Sequence, residues 1–171
     1  VKKRVIYLLS ALLLLGFSPI FAQDDDDDDD WEEIDWLDEI EDGLKKAKEA
    51  KKPLLVFFPC ATGQCWQCSR TEGGLWEDED ILEYATRFIC VEGDPEERDQ
   101  RKLMKKLGSR VKKRSHTQVH FIDPIKEERL RKAFVRPGMT ARQLRRKLKR
   151  ALKEFKERME EEEKQPEEKK E

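Results

Sequence analysis

Between Pro53 and Pro59 runs Leu54-Leu55-Val56-Phe57-Phe58, and a loop carrying three of the four cysteines, Cys60, Cys65 and Cys68, follows at once. Five consecutive apolar residues between two prolines predict a buried strand. A fold built on this feature must end a core strand where thiols gather. Closing the four-residue loop from Cys65 to Cys68 as a disulfide would take only about 2 kcal/mol of entropy from the unfolded chain. Closing Cys60 to Cys90 would take about 4 kcal/mol, so a purely stabilising bridge belongs on the longer loop. A C-x-x-C pair at a strand-to-helix junction suits a dithiol that opens and closes, because a helix N-terminus favours a thiolate. Cys65 and Cys68 are therefore read as the working pair.

A chain of 171 residues predicts one folded domain. Charged residues make up 43% and the hydrophobic set 37%, which requires a small core and strongly solvated ends. The net charge of -2 conceals an early acidic run, a basic stretch from about Arg98 to Arg150 and an acidic tail. Basic residues spread along helix-forming sequence without interleaved aromatics read as a solvated helix face, and nucleic acid is not an expected partner.

Lys2-Lys3-Arg4 ahead of the apolar stretch from Val5 to Phe17 has the form of an export signal. Ser18 to Ala22 supplies a break and a small residue at the cleavage point, so residues 1–22 are read as a signal peptide and the protein as periplasmic or secreted. The apolar run is short for a bilayer span, and an uncleaved segment of this kind would be the sole membrane contact. Asp24–Asp30 repels itself and reads as a spacer over residues 23–31 rather than a calcium loop, which needs turned ligand spacing and a glycine. The folded domain is expected over 32–158, with a charged disordered tail over 159–171.

From Trp31, the residues Ile34, Leu37, Ile40, Leu44 and Ala47 recur at helical spacing, acidic residues first and lysines last, which predicts a helix running to Pro53. A short helix is expected over Ser69–Glu72, and a second begins at Asp78 as N-cap. Phe88–Val91 follows as a strand, then a helix over Glu96–Leu107 closed by Gly108. Val119–Ile122 predicts a strand, Asp123-Pro124 a turn, and Arg129–Val135 the partner of a hairpin. Thr140 with Gln143 forms a capping box, and Leu144, Leu148, Leu152, Phe155 and Met159 mark the inner face of a last helix. The order implies an α/β fold, a mixed sheet of about four strands with helices on both faces.

This order, with C-x-x-C after the first long strand, resembles the thioredoxin-like superfamily, close to its exported or spermatogenesis-associated-type branch. The resemblance rests on Lys52-Pro53, Cys65-Trp66-Gln67-Cys68, the stretch Glu72–Ile81, and Phe88-Ile89-Cys90-Val91-Glu92-Gly93-Asp94, within a frame from about Trp36 to Phe155. It implies a thiol–disulfide oxidoreductase without a cofactor, in which Cys65 attacks a substrate disulfide and Cys68 resolves the mixed disulfide. Trp66 and Gln67 would tune redox poise and docking. Its partners would be protein thiols and disulfides, together with a redox partner that resets the pair. The family carries a cis-proline facing the motif; here that position falls near Thr117, beside His116, and a trans peptide is expected. Cys60 is an extra thiol, placed to exchange with Cys65, to pair with Cys90 or to remain a buried thiol.

Three other readings compete. Cys60, Cys65 and Cys68 with Cys90 downstream have the spacing of a plant-type iron–sulfur ferredoxin, although bulky Trp66 and the element order oppose it. Cys65 and Cys68 joined by His116 or His120 would suit zinc or copper. A binding module without redox chemistry is the third.

Overall fold

The computed structural model describes residues 33–60, 65–72, 74–112, 116–130 and 139–164, apart from the side chains of 67, 70 and 71. The chain divides into Val1–Asp30 and Trp31–Glu171, and every described residue belongs to the second unit. The expected signal segment and aspartate spacer lie outside the described residues. No described helix is long and apolar enough to cross a membrane.

The elements run β1 (Trp36–Leu37), α1 (Ile40–Ala50), β2 (Leu54–Phe58), α2 (Trp66–Glu72), α3 (Glu79–Ala85), β3 (Ile89–Glu92), α4 (Arg98–Lys106), β4 (Gln118–Asp123), β5 (Glu128–Arg129) and α5 (Ala141–Lys164). They build one sheet in the order β1-β3-β2-β4-β5. β1 and β2 flank β3 in parallel, while β4 runs antiparallel to β2 and β5 antiparallel to β4. The α/β architecture and the mixed sheet agree with the expectation.

All five residues of β2 are buried because the strand lies at the centre of the sheet and feeds two cores by alternation. Leu54, Val56 and Phe58 face Ile40, Leu44 and Ala47 of α1 and Met104 of α4. Leu55 and Phe57 point the other way, toward Ile81 of α3 and Leu144, Leu148 and Phe155 of α5. Helix α1 lies so close to the sheet that a methyl group on Gly43 would overlap Val91 Cγ2 and meet Leu54 Cδ1 at 3.0 Å. Glycine is the residue that permits that approach.

Four boundaries depart from expectation, each for a local reason. The sheet has five strands rather than about four, because Trp36 and Leu37 pair with Cys90 and Val91 instead of starting the first helix. Trp36 packs on one core and Leu37 on the other, the alternation of a strand, although the spacing of Ile34, Leu37 and Ile40 also fits a helix. Helix α2 starts at Trp66, three residues earlier than expected, with Cys65 O accepting from the N–H groups of Cys68 (2.9 Å) and Ser69 (3.0 Å).

The hairpin forms, but its second strand is Glu128–Arg129, extended by a bond from Leu130 N–H to Phe121 O of 2.8 Å. The remainder of the expected strand, 131–135, lies outside the described residues. Its turn is tied by Asp123 Oδ1, which accepts from Ile125 N–H (3.0 Å) and Lys126 N–H (3.2 Å). Helix α5 continues to Lys164, past the point where a disordered tail was expected, with i,i+4 pairs Lys153–Glu157 and Lys156–Glu160 along its exposed side.

The capping box closes as expected. Thr140 N–H donates to Gln143 Oε1 (3.0 Å) and Gln143 N–H to Thr140 Oγ1 (3.4 Å). Gly108, at φ 75°, ends α4 as predicted. Asp78 holds the N-cap position of α3, but its side chain makes no capping bond. Where α5 passes the hairpin, Arg158 reaches Asp123 Oδ2 (3.3 Å), Glu128 Oε1 (2.6 Å) and Glu154 Oε1 (2.9 Å). These ionic bonds hold the last helix to the end of β4 and raise the Arg158 pKa against the opposing effect of its partial burial.

Candidate active site

The site forms where β2 ends. Cys65 caps α2, and its Sγ accepts the Cys68 N–H at 3.3 Å. One helical turn later the side chain of Cys68 returns to the same face, and the two sulfurs stand 2.7 Å apart. That separation is about 0.6 Å longer than an S–S bond, so small rotations of the side chains close it. None of the four cysteines is in a disulfide.

The two sulfurs differ in surroundings. Cys68 is 1% exposed, whereas Cys65 is half-buried and reachable. Burial above all pushes the Cys68 thiol up to about 12, and hydrogen bonding to Cys65 and Cys60 adds to the rise. Thr117, through backbone and side chain, pulls the other way. Cys68 is therefore held as a thiol near neutral pH, in the place expected of the resolving residue.

His116, exposed just before β4, turns Nδ1 toward both sulfurs, 3.2 Å from Cys65 Sγ and 3.4 Å from Cys68 Sγ. Thr117 is buried beside Cys68, one residue before Gln118, which pairs with Phe58 at the end of β2. The expected trans peptide is present: no cis peptide occurs among the described residues. Trp66 is 72% exposed, so the motif carries an indole on its outer surface. The Gln67 side chain lies outside the described residues.

Cys60 joins this group. Its Sγ, those of Cys65 and Cys68 and a ring nitrogen of His116 all lie within 4.8 Å of one another. Cys60 and Cys90 do not pair. Cys90 sits opposite Leu55, which leaves the end of β2 about 10 Å beyond it, out of reach of a bridge. Its Sγ instead donates to Ala85 O at 3.6 Å inside the core. The same separation removes the four-thiolate set that a ferredoxin reading requires.

His120 also stands apart from the site. It is buried in β4 opposite Val56, its ring edge-on to Phe58 with centroids 5.8 Å apart. Burial first, then the charge of Arg129, lower its pKa to about 4.

Glu72 is a residue of the candidate site that motif reading did not single out. One carboxylate oxygen, Oε1, accepts both the Cys60 N–H (2.5 Å) and the Thr117 hydroxyl (2.6 Å). It thereby binds the loop after β2 to the segment entering β4, with the thiols between them. The available signal was its spacing: Cys65, Cys68 and Glu72 follow i, i+3, i+7 along α2 and share one face.

A five-stranded mixed sheet with a dithiol at the end of its central strand and an imidazole facing both sulfurs defines a thioredoxin-like domain with a cysteine–histidine site. The profile of the thioredoxin-like family matches residues 35–121, just over half of the 171-residue chain, and the chain belongs to that family. No curated protein matches it. The matched segment contains the whole site from Cys60 to Thr117 and stops within β4, before α5.

Proposed function

We propose that this protein is a thiol–disulfide oxidoreductase acting on protein substrates in an extracytoplasmic compartment, to which its N-terminal segment directs it. The observation that carries the reading is the asymmetric pair: two sulfurs 2.7 Å apart, one reachable and one shielded. In the reducing direction the Cys65 thiolate attacks one sulfur of a substrate disulfide. The Cys65–substrate S–S bond forms, the substrate S–S bond breaks, and the departing sulfur takes a proton.

Cys68 then gives up its proton and attacks Cys65 Sγ. The Cys65–Cys68 bond forms and the second substrate thiol leaves, so two electrons have passed to the substrate. His116 Nδ1, 3.4 Å from Cys68 Sγ, is positioned to receive that proton. The reverse sequence donates the disulfide, and a separate redox partner resets the pair. Trp66 offers an apolar face on which a substrate chain can settle beside the sulfurs.

Insulin reduction and reactivation of a scrambled disulfide protein test the reading. The wild type should turn over in at least one of them, and Cys68→Ser should accumulate a mixed disulfide through Cys65. Absence of turnover together with absence of a trapped adduct would return the protein to the class of redox-silent binding modules.

A further inference from the structure

We propose that Cys60, Cys65, Cys68 and His116 form a Cys3His site that binds one zinc ion when the thiols are reduced. The proposal stands on the placement of four donor atoms and does not rest on the exchange reaction.

Three sulfurs and one imidazole nitrogen lie mutually within 4.8 Å, and the separations among Cys65, Cys68 and His116 include 2.7, 3.2 and 3.4 Å. A tetrahedral zinc ion with Zn–S near 2.3 Å and Zn–N near 2.0 Å needs donors about 3.5–3.8 Å apart. The separations of 2.7, 3.2 and 3.4 Å fall short of that range by about an ångström at most, and none in the cluster exceeds 4.8 Å, so shifts of about an ångström in side-chain position would seat the ion. Three thiolates with one histidine make up a recognised zinc set, and this donor softness disfavours magnesium and calcium.

A two-cysteine redox motif has no need of a third thiol and an imidazole aimed at the same point. Nor does sequence proximity account for their meeting. Cys60 comes from the loop after β2, Cys65 and Cys68 from the start of α2, and His116 from the approach to β4. Glu72 fastens the first and last of these segments together through the Cys60 N–H and the neighbouring Thr117 hydroxyl. That is how a second shell holds ligands it does not itself supply. His116 is exposed, which leaves a route by which the ion enters.

Binding involves no electron transfer. The coordinating thiols lose their protons to buffer and the imidazole donates a lone pair. A Cys65–Cys68 disulfide removes two of the four donors, so zinc and disulfide exclude each other at this site.

The test uses the reduced, metal-free full chain titrated with cobalt(II) as a spectroscopic stand-in, then with zinc against a chromophoric chelator. Wild type should bind one ion and show thiolate-to-cobalt charge transfer with the intense d–d bands of a tetrahedral field. Loss of second-shell partners commonly weakens metal binding 10- to 100-fold, so removing a ligand by Cys60→Ser or His116→Ala should cost at least about 100-fold. Cys90→Ala, remote from the site, should bind as wild type, and oxidised wild type should not bind.

Circular dichroism of each metal-free variant separates loss of a ligand from loss of the fold. Absence of the cobalt bands overturns the proposal, as does zinc affinity indifferent to both Cys60→Ser and His116→Ala. Binding confined to copper(I) and unaffected by His116→Ala overturns it as well.

Discussion

One sheet holds a cysteine and a histidine in two places. At the end of β2, Cys68 and His116 stand with Cys65 and Cys60; in the middle of the sheet, Cys90 and His120 stand among apolar neighbours. Burial acts alike on the two shielded thiols, pushing each up to about 12. What separates them is company. Cys68 has a second sulfur and an imidazole within 3.4 Å, whereas Cys90 has the Ala85 carbonyl and hydrophobic packing. The histidines divide in the same way, one exposed with its ring nitrogen on the sulfurs and one enclosed with no hydrogen-bond partner for Nε2 among the described residues. A protonatable group inside a core is a liability to stability. At the end of a strand, with partners, it is placed where chemistry can use it.

The strongest challenge to this contrast is Cys65→Ser. On the proposed mechanism it should lower disulfide-exchange turnover at least about 10³-fold, as loss of an attacking nucleophile does. Turnover surviving that change would place the reaction elsewhere.

The histidine half of the contrast is sharpened by acid. The folded His120 pKa of about 4 lies below the ordinary 6.5, so the unfolded chain binds the extra proton more readily. Stability associated with His120 is complete above pH 6.5 and falls as pH drops toward 4, by about 3 kcal/mol in all. Urea denaturation across that window should show the loss in wild type and a flatter profile in His120→Leu. Equal slopes would mean that other groups govern the acid response.

Next comes the reactivity of the shielded thiols. In the native reduced protein near pH 8, Cys68 and Cys90 should alkylate at least about 10²-fold more slowly than a thiol of ordinary pKa. Mass-resolved labelling with iodoacetamide checks this, and prompt modification of Cys90 would break the claim that burial silences it. The smallest expected effect is that of Cys90→Ala, about 1 kcal/mol of stability from a cavity one sulfur in size. Its exchange activity should be unchanged.

Much of this arrangement is legible in the amino-acid sequence because it is local. Leu54–Phe58 between two prolines, the C-x-x-C at a strand end, and the Thr140/Gln143 capping box are short signals whose meaning lies within a few residues. Position 117 could also be found by counting along a strand.

Two features resisted. Trp36–Leu37 is a strand only because Cys90 and Val91 lie beside it, and a two-residue strand has too few alternations to outweigh the helical spacing around it. The gathering of Cys60 with His116 depends on Glu72 closing two loops separated by over fifty residues, an event that no window of sequence contains. Three destinations for Cys60 were equally consistent with its position in the chain. The sheet register removes one of them, the bridge to Cys90.

The ionic fastening of Arg158 bears on where this domain can be cut. The family's shared segment stops at residue 121, yet Leu144, Leu148 and Phe155 seal one face of the sheet, and Asp123 meets its cation from the far end of α5. A fragment trimmed to the shared segment would bare Phe88 and Phe121 to water and invite self-association. The excisable unit therefore has to include the final helix, α5.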